Sequence, residues 1–315
     1  MKDNCYKKLL ILRNIIFLAI IVFCILIGCQ SNAFAGQQRG FEVPEVAVIS
    51  FIDALRKDDR KELRLILGRG YKSVISTGDK KEDKQAISKF LQSYDKKHKL
   101  EEKGQNMMVL TTGEDDFRFP IPLVKRGDKW YFDTMAGKEE ILRRKIGRNE
   151  LKVIEVLHAY VLAQREYASK DRDGDGIKEF AQKLLSSKGK KDGLYWDSKE
   201  REDESPLGPF IAKAGYSIEK KYKRSPKPYF GYYYRILKAQ GSNAPGGAYD
   251  YMVNGNMMLG FALVAWPARY GSSGIMTFQV NQSDIVYEKD LGKDTAKIVK
   301  SMTTYNPDET WKRVD

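Results

Sequence analysis

Every cysteine of this 315-residue chain falls within its first 29 positions, at Cys5, Cys24 and Cys29. The rest of the chain has no thiol, so no disulfide can staple it and its fold must stand on core burial alone. Thiol catalysis, zinc thiolate sites and iron–sulfur clusters are excluded there by the same distribution.

The cysteines sit in a segment of a recognisable kind. Lys2, Lys7, Lys8 and Arg13 precede an uncharged apolar run from Ile15 to Ile27, and small residues come after it, which is the pattern of an export signal. A membrane-spanning helix needs about 20 apolar residues, and Arg13 stops this run short of that. Two cuts fit. Leu26-Ile27-Gly28-Cys29 resembles the bacterial lipobox, which would make Cys29 the site of lipidation and the lipid the only hold on a membrane. Ala33-Phe34-Ala35 before Gly36 equally fits ordinary signal peptidase and a soluble product. The expected location is the periplasm or outer membrane as a lipoprotein, or else a soluble periplasmic or secreted form. Cutting before Cys29 removes four of the 55 basic and one of the 42 acidic residues and leaves a net charge of +10. The charges are dispersed rather than gathered in one stripe, so solubility accounts for them, with lipid headgroups or cell-wall and other anionic polymers as the alternative partners. Nucleic acid is not expected as a partner in this compartment.

The exported length exceeds one typical domain, and the pattern divides it in two. The export segment covers 1–35, with the lipobox at 26–29. A first domain over 41–137 reads as three helices followed by an antiparallel sheet. Pro44 starts the first helix, with Val46, Ile49, Phe51, Ile52 and Leu55 as its apolar face. Asp58 or Asp59 caps the second, which Gly68 and Gly70 end, and the third runs from about Asp83 to Tyr94. Strands are expected at Met107 to Thr112, Phe117 to Val124 and Trp130 to Asp133, the last two joined by the turn Arg126-Gly127-Asp128, with Pro120 and Pro122 placing their strand at an edge. A second domain over 138–315 begins with a long helix capped by Asn149 and then a short helix near Phe180 to Leu185. It ends in four strands at Tyr232 to Ala239, Phe261 to Trp266, Met276 to Asn281 and Ile285 to Lys289. The fold class expected is therefore α+β.

The order of the first domain resembles the cone-shaped fold of nuclear transport factor 2. The second, with YAS closing the helix and strand patterns FALVAWPA, TFQVNQ and IVYEKDLG, resembles the globular part of type IV pilins and pseudopilins over roughly residues 145 to 292. It departs from pilins in lacking their N-terminal hydrophobic helix with a Glu near its start, so polymerisation is not expected. Longer runs carry a more specific likeness. Residues 120–151, 163–186, 190–196 and 245–282 resemble an uncharacterised bacterial exported family known as domain of unknown function 2950, a likeness that implies no substrate, cofactor or catalytic residue.

The most ligand-like cluster is Asp171, Asp173, Asp175, Gly176 and Glu179 in DRDGDGIKEF. Calcium takes six to eight oxygens, and D-x-D-x-D-G offers three carboxylates on one side of a tight loop. The twelfth position of such a loop falls on Gln182 rather than a bidentate Glu, so any affinity would be weak. The structural alternative is a hydrated turn whose Asp residues cap the short helix at Glu179 and Phe180. KKYKRSPKPYFGYYYR, at 220–235, interleaves aromatics with cations, which suits glycans or anionic lipids, but alternate tyrosines also suit a strand with one face on the core. PGGAYDYMVNG lacks the Lys and Ser or Thr of a phosphate-binding loop, and Gly271-Ser272-Ser273-Gly274 is one residue short of a nucleophile elbow. His98 and His158 are the only histidines, and neither has a spaced second ligand. The carboxylate pairs Glu139 with Glu140 and Asp115 with Asp116 read as solvated surface. The expected function is a non-enzymatic binding or scaffolding module of the cell envelope, with envelope proteins as partners. The alternative is an envelope hydrolase or ligand-binding enzyme using a pocket in the first domain, with acids such as Asp133.

Overall fold

A computed structural model describes residues 38–172, 174–196, 204–208 and 228–314. Its backbone divides into two compact units between Ile141 and Leu142. Both are mixed α+β, with helices and antiparallel sheets.

In the first unit, α1 (Pro44–Arg56) opens with the preset φ of Pro44, and α2 (Arg60–Leu67) is capped by the Asp59 carboxylate, which accepts from Lys61 N and Glu62 N. Gly68 ends α2 at φ 66°, a conformation that glycine adopts without strain. A short α3 (Tyr71–Ile75) comes next, then α4 (Lys80–Lys96), which Asp79 caps. The sheet holds β1 (His98–Glu102), β2 (Met107–Thr112), β3 (Phe117–Arg118), β4 (Leu123–Arg126) and β5 (Lys129–Phe132), in the order β1-β2-β4-β5, with β3 also on β2. Phe51 anchors the core, with its ring 5.4 Å from Phe119 and 5.2 Å from Phe132.

Three expectations change here. Val46 and Ile49 are 48% and 54% exposed, and the face of α1 that packs is Ala47, Val48, Phe51, Ile52 and Leu55. Apolar residues surround this helix almost completely, so periodicity alone does not choose its inner side. Pro120 and Pro122 do not make one edge strand; they split the run into β3 and β4, both on the same flank of β2. The edge strand on the other flank of β2 is β1, where the His98 ring stacks on Tyr94 at 3.8 Å.

The second unit is organised by α5 (Thr134–Tyr167), within which the division between units falls. Asn149 does not cap it. The cap is Asp133, whose carboxylate accepts from Ala136 N, and the helix starts fifteen residues before Asn149. The segment expected to be helical near Phe180 instead makes bridges, Phe180 to Met257 and Leu185 to Tyr195. The main sheet has five strands: β6 (Tyr232–Leu237), β11 (Ala262–Pro267), β12 (Met276–Asn281), β13 (Tyr287–Asp290) and β14 (Lys312–Arg313), in the antiparallel order β14-β13-β12-β11-β6. The fifth strand is the C-terminal one, too short to show in periodicity. Small ladders join β7 (Ala239–Gln240) to β8 (Tyr249–Asp250) and β9 (Met252–Val253) to β10 (Asn256–Met257). One sheet face packs on α5 through Leu157, Tyr160, Phe278 and Val280. The other meets α6 (Thr295–Ser301), where the Arg235 guanidinium donates to the carbonyls of Val299 and Met302, a cation at the negative end of that helix.

Candidate functional site

The acidic loop is held by its own backbone. Asp171 Oδ1 accepts from Gly174 N at 2.8 Å and Oδ2 from Gly176 N at 2.9 Å, while Asp175 Oδ1 accepts from Ile177 N at 2.8 Å. Both glycines have positive φ, as the tight turn requires. Asp173 lies outside the described residues. The second half of the loop is committed to the β9–β10 hairpin: Glu179 Oε2 accepts from Met257 N at 3.0 Å, and Gln182 Nε2 donates to Gly255 O at 2.7 Å. Among the described residues, no three His, Cys, Asp or Glu side chains gather as a metal-holding group.

A second polar constellation, which the sequence does not announce, joins α5 to β12. Asn149 Nδ2 donates to Ser273 O at 2.7 Å, and Glu150 Oε1 accepts from Ile275 N at 2.8 Å and Met276 N at 3.0 Å. The Tyr232 hydroxyl, on a fully buried side chain, lies 3.3 Å from the same oxygen and donates to Met276 O at 3.0 Å. Farther along the helix, His158 Nδ1 lies 2.9 Å from Asp284 Oδ1, and Arg165 donates to Gln282 O at 3.0 Å. Residues 150 to 165 span about 22 Å of helix at 1.5 Å per residue, and a six-residue strand is about 20 Å long. The helix therefore runs parallel to β12 and is fastened at both of the strand's ends. The only signal of this in the sequence is polar residues on a helix flank, and their partners are more than a hundred positions away.

Glu288, on β13 beside Phe278 and Lys312, completes the near end of this cluster. Burial raises its carboxyl above the usual range, the Glu150 charge raises it further, and Lys312 opposes both. A carboxyl raised in the fold makes its charged form unfavourable, so stability is gained as pH falls through the raised value. Glu288→Gln is accordingly expected to raise the urea midpoint at neutral pH and to lose that advantage at mildly acid pH. An equal midpoint for both proteins at neutral pH would contradict this.

The remaining candidates have structural partners. Ser273 Oγ accepts from Arg269 N at 2.9 Å and donates to Arg269 O at 3.1 Å, which commits the hydroxyl of the Gly271–Gly274 turn. Asp133 caps α5, and Asp116 pairs with Lys97 at 2.8 Å. Of the aromatic–cationic stretch, residues 220–227 lie outside the described residues. Tyr232 to Arg235 open β6, where Tyr232 is buried, Tyr233 and Tyr234 are half-buried, and Tyr233 packs on Trp266 at 5.8 Å.

These features define a two-unit α+β protein in which Asp171, Asp175, Glu179, Glu150 and Asp133 each accept from backbone N–H groups. The chain belongs to the family described as protein of unknown function (DUF2950), whose model matches residues 38–314. No curated protein and no solved structure matches it.

Proposed function

We propose that the protein is a non-enzymatic binding or scaffolding module of the cell envelope, which takes an extended segment of another envelope protein against β6. The observation that carries this reading is the outer edge of that strand. Tyr232 exchanges both backbone hydrogen bonds with Tyr229, on the side away from β11, so strand alternation turns the N–H and C=O groups of Tyr234 and Ile236 the same way. Among the described residues these four groups meet no backbone partner. Strand addition at such an edge draws affinity from main-chain hydrogen bonds. The opposite edge, β14, is two residues long and offers far less.

Proline at an outward-facing edge position leaves the ladder to β11 intact but removes a donor and blocks the approach of another strand. Affinity purification from envelope extracts is expected to recover a partner with the parent and with Ile236→Ala, and to lose it with Ile236→Pro. Recovery of the same partner by all three, or of none by the parent, would remove the edge as the binding site.

An envelope address, with lipid on Cys29 or release after Ala35, belongs to the same proposal and is supported by the apolar run Ile15 to Ile27. So do the finer fold likenesses. Helices preceding an antiparallel sheet support the cone-like reading of the first unit, and a long helix lying along an antiparallel sheet supports the pilin-like reading of the second. Calcium at Asp171, Asp173, Asp175 and Glu179 rests on the order of the acids in the loop. Isothermal titration that gives no heat with calcium chloride would remove it.

A further inference from the structure

One stretch of α5 concentrates cations. Between Lys145 and Lys152 the chain carries Lys145, Arg148 and Lys152 against a single acid, Glu150. That acid is turned inward, where Ile275 N and Met276 N occupy it, so it does not neutralise the outer surface. Ile146, Val153, Val156 and Leu157 define the buried side of the helix. At 100° per residue, Arg148 and Leu151 fall on the opposite side, with Lys145 and Lys152 at its flank, and all four are exposed. Glu155 pairs with Lys152 at 2.7 Å and ends the cationic band.

The same outer side carries the two most exposed large apolar side chains among the described residues, Leu151 at 65% and Leu162 at 61%. They are eleven residues apart, which returns to nearly the same angle after three turns. A free polyanion would use the cations and leave both leucines in water. A headgroup surface accepts both, since cations meet phosphates while leucines enter the acyl boundary.

We propose that the outer face of α5, from Lys145 to Leu162, docks on an anionic lipid surface, with Lys145 and Arg148 holding lipid phosphates and Leu151 and Leu162 entering the interface. The occupant is chosen by charge complementarity together with the apolar pair beside it. This goes beyond strand addition at β6 and does not depend on it.

The test is co-sedimentation of the exported protein with vesicles of phosphatidylcholine, alone or mixed with phosphatidylglycerol. Any lipid on Cys29 contributes equally to both, so the readout is the ratio of the two affinities. A preference for the anionic vesicles that weakens with salt is expected. Reversing two charges, in Lys145→Glu with Arg148→Glu, should lower anionic-vesicle binding by on the order of tenfold or more. Leu151→Ser with Leu162→Ser should lower it without a change in charge. These positions are on the surface, so unchanged thermal midpoints are expected and confirm that the variants fold. Equal binding to both vesicles, or a preference kept by the charge-reversed protein, would overturn the proposal. Full competition by inorganic polyphosphate together with no effect of the serine variants would assign the face to a free polyanion and equally overturn it. Ile236→Pro is expected to bind vesicles as the parent does, which separates this face from the β6 edge.

Discussion

Tyr232→Ala is expected to destabilise the protein by about 3–5 kcal/mol, the range for removing a large aromatic side chain from a packed core. The ring is fully buried, packs 5.9 Å from Phe278, and ends in the hydroxyl that joins Met276 O and Glu150. Tyr232→Phe separates the two contributions, since it keeps the ring and gives up about 1 kcal/mol of hydrogen bonding. A second change shows how closely the site is filled. A Cβ on Gly274 would lie 2.0 Å from the Tyr232 hydroxyl oxygen and 2.4 Å from Cζ, so Gly274→Ala is expected to cost about 1–3 kcal/mol through overpacking. With Tyr232 already shortened to alanine, the added methyl has room. The double variant should therefore be clearly more stable than the sum of the two single losses predicts. Urea midpoints of the four proteins form the cycle, and strict additivity would mean that the contact between these residues is not what sets the cost.

Glu150→Ala is the second large effect, at about 2–4 kcal/mol. It strips the acceptor from Ile275 N and Met276 N, and a donor left unsatisfied in a partly buried place costs about 1–3 kcal/mol. Glu150→Gln keeps an oxygen at the same reach and should recover most of the loss. Hydrogen exchange gives the residue-level reading: Ile275 and Met276 amides should exchange faster in the alanine variant and remain protected in the glutamine variant. If both variants lose the same stability, the charge rather than the acceptor geometry holds the strand.

The local part of this architecture is legible in the chain. Asp59 as a helix cap, Pro44 as a helix start and Gly68 as a stop each act on neighbours within a turn, so their meaning survives without tertiary information. Gly127 at φ 61° joins β4 to β5 within the turn that Arg126-Gly127-Asp128 signals. A local signal can still be outweighed by composition. Asn254 and Gly255, at φ 50° and 91°, make the two-residue turn of the β9–β10 hairpin, an Asn-Gly pair between Val253 and Asn256 that the surrounding glycines disguise as loop. The start of α5 is hidden because Gly147 and Asn149 read as a break, whereas in the fold Asn149 serves Ser273 from the middle of the helix. Nothing in the sequence places Glu150 against β12, since its partners lie 125 and 126 positions away. The loop acids are legible as a cluster, yet the commitment of Glu179 and Gln182 to the neighbouring hairpin is not, because that hairpin comes more than seventy residues later.

A helix riveted to a strand at both ends, with the two running in the same direction, resists tension differently from one that merely rests on its sheet. Force applied along the α5 axis would load the Glu150 and Arg165 attachments together, in shear, instead of peeling them off one after the other. Such a joint would give way late and all at once.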